Sequence, residues 1–155
     1  MKWQKVLAVV LLAGLLSVSA GTAYAGMNRN FVAPLSGSEE VSPVQTLSRG
    51  NAVFHLSKNE TELSYKLIVA NIEDLFAAHI HDGAPGVNGP VIVGLYTGGQ
   101  IEGRFSGILA QGVISEQSLG EEAFADLLEK IMTGSAYVNV HTIEHPAGEI
   151  RGQIR

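Results

Sequence analysis

The chain of 155 residues carries ten basic and fifteen acidic residues, a net charge of −5, and no cysteine. The acidic balance argues against nucleic acid, whose binding needs clustered positive charge, and matches an anionic membrane surface poorly. With no cysteine, disulfides, thiol nucleophiles, thiolate metal sites and iron–sulfur clusters are all excluded.

The start of the chain does not read as fold. Lys2 and Lys5 form a basic opening, residues 6–16 are apolar, and Ala23-Tyr24-Ala25 has the small-x-small pattern of a secretory cleavage site. The apolar run falls short of the about 20 residues a bilayer-spanning helix needs. Residues 1–25 are therefore expected to be a signal peptide and residues 26–155 one domain around one core. Only Lys2 and Lys5 are charged within the leader, so the mature chain sets eight basic against fifteen acidic residues, net −7.

Beyond the leader, residues 30–35 read as a first short strand ended by Ser36-Gly37, and residues 38–44 as a polar loop. Ala52, Phe54 and Leu56 share one strand face, with Val53 and His55 on the other, so His55 is expected in solvent. Leu63, Tyr65, Leu67 and Val69 mark the buried face of a longer strand, with Ser64 and Lys66 outward. In residues 76–81 the period of two sets His79 and His81 on one face. Phe76, Ala78 and Ile80 fall on the other, which is expected to face the core. Residues 82–90, DGAPGVNGP, are turn chemistry, and Val91-Ile92-Val93 is a β-branched strand.

Residues 104–111 alternate again, with Phe105, Gly107 and Leu109 together. The period then changes: Phe124, Leu127, Leu128 and Ile131 have the i, i+3, i+4, i+7 spacing of an amphipathic helix. Glu121 and Glu122 near its start, Lys130 near its end and Gly134 as its stop support one short helix over about 120–133. Ala136, Val138 and Val140 alternate with Tyr137, Asn139 and His141. A turn over residues 142–148 leads to a last strand, in which Glu149 and Arg151 share a face and are positioned to pair with each other or to bond across strands. Short alternating strands between glycine and proline turns define an all-β antiparallel sandwich or barrel.

Three blocks carry a resemblance: LSGSEEVSPV (residues 35–44), AHIHDGAPGVNGPVIVGL (78–95) and AYVNVHTIEHPAGEIRGQI (136–154). Together, and in this order, they closely resemble the CHRD domain, the repeat first recognised in chordin, over about residues 30–154. The resemblance implies a bacterial, secreted or periplasmic single-domain module with a Greek-key sandwich or barrel. In chordin such repeats sit beside cysteine-rich domains in an extracellular antagonist of growth factors. This chain has no such domains, so growth-factor binding does not transfer. Ser42 stands where the family often has the first proline of a pair, and Asp82 where some members carry cysteine.

His79, His81, His141 and His145 all fall inside the matching blocks. Imidazole suits zinc, copper or nickel, and strand ends brought together could converge three rings on one ion. Equally, the rings could pin the 82–89 loop to the 142–148 loop through hydrogen bonds. No GxSxG, HExxH or GxxxxGK[ST] is present. The expectation is a non-enzymatic module that binds an unknown protein or cell-surface ligand, with no membrane role once the leader is cleaved. The alternative is a zinc or copper protein using His79, His81, His141 and His145.

Overall fold

The computed structural model describes residues 28–155. The expected leader, residues 1–25, lies outside them. Seven strands, β1 (Asn30–Ser36), β2 (Arg49–Leu56), β3 (Glu62–Asp82), β4 (Val91–Tyr96), β5 (Ile101–Ser115), β6 (Ala136–Thr142) and β7 (Ile150–Gln153), pair antiparallel throughout. β1, β2, β3, β6 and β7 close into a barrel, and β4 and β5 are added to β3. The neighbour order β7-β1-β2-β3 returns a late strand beside the first, the Greek-key device. Between the sandwich and the barrel, the chain is a barrel.

β3 organises the molecule. The sequence reads as two segments, but the strand runs unbroken for 21 residues. Its first half pairs with β2 and β5, and its second half with β4 and β6. Two residues with positive φ, Asn71 and Asp74, lie at register shifts between the halves. Asparagine and aspartate tolerate the left-handed region, and bulges of this kind bend a strand and increase its twist.

A further shift between Leu75 and Ala77 corrects one expectation. Leu75, Ala78 and Ile80 enter the core, whereas Phe76 does not. Its ring lies 6.2 Å from that of His141, on the outer side. The period of two holds from Ala78 onward and fails across the bulge.

Leu63, Leu67, Ile72, Val138, Val140, Ile150 and Ile154 fill the barrel. Each fully buried aliphatic contributes about 1.5–3 kcal/mol relative to exposure. Helix α1 (Glu116–Leu119) is a single turn capped by Ser115. Gly120 separates it from α2 (Glu121–Thr133), the helix expected at about 120–133. Phe124, Leu127, Leu128 and Ile131 join the same core, and Gly134 ends the helix in the left-handed conformation. Lys130 bridges to Asp82 at 3.1 Å and so ties α2 to the end of β3.

Candidate metal centre

The residues alternating with the core positions of β3, β6 and β7 project outward, yet they are buried. His81, Tyr137, Asn139, His141 and Arg151 are each less than a tenth exposed. Two loops fold back over them. Loop 83–90 is held mainly by side chains from beneath it. The Arg151 guanidinium donates to the Ala84 and Val87 carbonyls and to Asn88 Oδ1 at 2.9–3.1 Å. Gln153 Nε2 donates to the Gly83 and Gly134 carbonyls, and the Gly89 amide donates to the Tyr137 hydroxyl. At Gly89 the loop passes so close to β3 that a Cβ would overlap the Asp82 carbonyl. Tyr137, on the strand between β3 and β7, stacks on His81 (4.9 Å, 13°) and carries the Arg151 guanidinium 3.5 Å from its ring centre.

The second loop, between β6 and β7, is held by His141 and Asn139, which donate to the Pro146 and Ala147 carbonyls. Of the two arrangements expected for Glu149 and Arg151, the mutual pair does not form, and each side chain bonds to another segment. Glu149 instead accepts from the Thr46 and Ser48 hydroxyls at 2.7 and 2.6 Å, while Arg151 turns to loop 83–90. Backbone carbonyls satisfy a guanidinium's planar fork, and the hydroxyls reach Glu149 from the β1–β2 connection.

Three of the four singled-out histidines converge. One ring nitrogen from each of His79, His81 and His141 lies within 4.8 Å of the others. His145 does not join them: it sits in the β6–β7 loop, where its amide donates to Thr142 Oγ1. His55 is exposed on β2 and lies 2.8 Å from Asn30 Oδ1.

Hydrogen bonds fix the tautomers. A carbonyl only accepts, so the bond from His81 Nδ1 to the Gly89 carbonyl (3.0 Å) places the proton on Nδ1. The bond from His141 Nδ1 to the Pro146 carbonyl (3.1 Å) does the same. The Nε2 lone pairs of both are therefore bare. His141 Nε2 accepts from His79 Nδ1 at 3.1 Å, and buried His81 Nε2 has no partner among the described residues. A carbonyl that holds the remote ring nitrogen is the outer-shell arrangement typical of metal-bound histidine.

The rings are also kept neutral. Burial first, then the neighbouring histidine, lowers the His79 pKa. Burial lowers that of His81 against an opposing bond to Gly89. For His141, burial and then His79 bring it to about 4. Neutral imidazole is the form that ligates metal.

Sequence reasoning found the three rings but missed their surroundings. Tyr137 and Asn139 were legible as the polar alternates of β6, but nothing marked them as covered. Glu40, which burial raises to a pKa of about 7 beside Arg151 and Asn139, carried no signal of its own.

A closed antiparallel barrel with a histidine trio beneath two pinned loops defines the class: a compact β-module with a built polar site. A family model for the CHRD domain matches residues 31–154, and the chain belongs to that family. It is similar to Chordin of Xenopus laevis, 33% identical over 129 residues, covering 78% of this chain. The match spans 12% of that protein's length. No solved structure matches the chain. Among the described residues, no helix is long and apolar enough to cross a membrane.

Proposed function

We propose that this CHRD domain is a non-enzymatic, extracytoplasmic binding module that holds one transition-metal ion through His79, His81 and His141. The observation that carries the reading is the convergence of three ring nitrogens within 4.8 Å. Zinc and copper both accept three imidazoles, and the ligand set leaves room for a further ligand. The proton between His79 and His141 is what a cation would displace. The extracytoplasmic setting rests on the leader-like residues 1–25 and on the resemblance to chordin.

The two nitrogens of a ring divide the work. In His81 and His141, Nδ1 pins a loop to the sheet and leaves Nε2 unprotonated, and the His141 Nε2 meets His79 Nδ1 at 3.1 Å. The loop-pinning reading of the histidines is therefore compatible with the metal reading. His79 holds no loop, since its recorded bond goes to His141 alone.

The test is to strip the purified protein of metal and titrate it with zinc and with copper. One ion per chain by elemental analysis is expected. At a hundredfold excess over Kd, binding adds on the order of 3 kcal/mol, a rise of roughly ten degrees in Tm for a domain of this size. His79→Ala removes one of three ligands, so it should cut the rise to a small fraction while leaving the metal-free melt nearly unchanged. An unchanged melt of the stripped wild type in both metals refutes the reading, and leaves a module that binds a protein or cell-surface partner without metal.

A further inference from the structure

Two cavities, of about 280 and about 290 Å³, open where the β6–β7 loop meets the β1–β2 connection. They share one wall, Glu144 and His145. The turn that carries this wall is tied down. The His145 amide donates to Thr142 Oγ1, and its carbonyl accepts from the Thr142 and Gly148 amides. The His145 ring is left half-buried between the cavities.

Carboxylates dominate both. Glu73, Asp74 and Glu149 line the first cavity together with Glu144, and Glu40 lines the second with it. Among the described residues, only Glu73 of this group is in an ion pair, with Arg104 at 2.9 Å. Asp74 Oδ1 accepts from the Gly103 amide, and Glu149 Oε1 from two hydroxyls. Glu40 points to a ligand most directly. It is 8% exposed, it lines the second cavity, and its Oε1 has no hydrogen-bond partner. The guanidinium beside it, Arg151, is committed to the Ala84 and Val87 carbonyls. Burial therefore outweighs Arg151 and raises the Glu40 carboxyl to about 7. A buried carboxyl without a partner is a cost to the fold. A cationic donor brought to it from outside would remove that cost.

The walls select the kind of cation. Val41, Val44, Pro146 and Ala147 line the second cavity beside Glu40. Aliphatic sides and an acidic residue suit a lysine or arginine side chain, whose methylene stem covers apolar surface while its head carries the charge. One small metal ion suits the cavities poorly. The convergent ligand group among the described residues is the histidine trio, and none of these carboxylates belongs to it. The first cavity, across the Glu144–His145 wall, offers Asp74 and Glu149 to a second basic residue. Leu47, 82% exposed, borders it and gives an apolar contact between the charges. The net charge of −5 also draws a basic partner toward the chain.

We propose that this double cavity is the docking site for a basic segment of a partner protein. One lysine or arginine side chain enters beside Glu40, and a second meets Asp74, Glu144 and Glu149. The site uses none of the three convergent histidines and needs no metal.

Amide shifts of the isotope-labelled protein test this during titration with acetyl-GKGKG-amide to millimolar concentration. In an extended peptide its two lysines share a face. Saturable shifts are expected, gathered on residues 40–47 and 143–149, and absent with acetyl-GQGQG-amide. Glu40→Gln and Glu144→Gln should each weaken binding fivefold or more. Glu144 is exposed and makes no hydrogen bond through its side chain among the described residues, so its replacement leaves the fold intact. Spermine and calcium chloride are titrated in parallel. No saturable shift, shifts scattered over other acidic surface, equal binding of the glutamine peptide, or indifference to both substitutions would each overturn the proposal. So would spermine or calcium saturating the same amides more tightly than the peptide, which would assign the cavities to a free polyamine or a metal.

Discussion

Replacing Glu40 by Gln probes the polar layer outside the barrel. Glu40 lies in the β1–β2 connection and is 8% exposed, beside Asn139 and the Arg151 guanidinium. Glu40 Oε1 and Asn139 Oδ1 are both buried acceptors without partners. A proton on the Glu40 carboxyl removes the cost of holding an ionised carboxylate oxygen buried without a partner. Burial, only partly offset by Arg151 and Asn139, raises the carboxyl from 4.5 to about 7. An acid whose folded pKa is raised binds more protons folded than unfolded between the two values. Its contribution to stability is therefore complete below 4.5 and is lost as pH rises through about 7. The shift corresponds to roughly 3 kcal/mol. A glutamine amide of nearly the same shape cannot ionise, so it stays neutral at every pH. The variant should match wild type near pH 4.5 and exceed it by up to about 3 kcal/mol well above pH 7. The lowered histidine pKa values act in the opposite direction, removing stability as pH falls from the ordinary histidine value of 6.5 toward about 4 for His141. Because both proteins carry the histidines, the difference between their urea-denaturation profiles isolates Glu40. Parallel profiles across this range would mean that Glu40 is already ionised in the folded protein and that the reasoning is wrong.

Arg151→Met should cost about 2–4 kcal/mol in denaturant, since it strands three acceptors of loop 83–90 and removes charged hydrogen bonds. Limited proteolysis should then cut within that loop, where the wild type resists. Gly148→Ala meets both a φ of 133° and an overlap with the Asn139 side chain, so a loss of about 1–3 kcal/mol is expected from its melt. Metal bound at neutral pH should be released on acidification, because protons compete for the same lone pairs; ion-selective titration checks the midpoint.

Much of the barrel was legible because its strands alternate cleanly. Ala136, Val138 and Val140 face the core as spacing required, and α2 starts and stops where its glutamates, lysine and glycine indicate. What alternation could not show was β3 as one strand. Asn71 and Asp74 hide bulges inside a run that otherwise reads as an ordinary polar break, and a bulge before Ala77 turns Phe76 outward. The site was half legible. His79 and His81 follow from one strand, but His141 joins them only through pairing across more than fifty residues, Ala77 opposite His141 and His79 opposite Asn139. The burial of the outer face was invisible because loops cover it, and loop conformation depends on contacts such as Arg151 with Val87 that no local pattern encodes. The same long-range geometry explains why Glu149 meets Thr46 and Ser48 instead of its strand neighbour Arg151.

X-ray absorption at the zinc or copper edge, on protein loaded with one equivalent after stripping, tests the histidine trio most directly. The account predicts imidazole scattering from three nitrogen ligands at about 2 Å, reduced to two in His79→Ala. A coordination shell of oxygen alone, or a spectrum unchanged by that substitution, would contradict it.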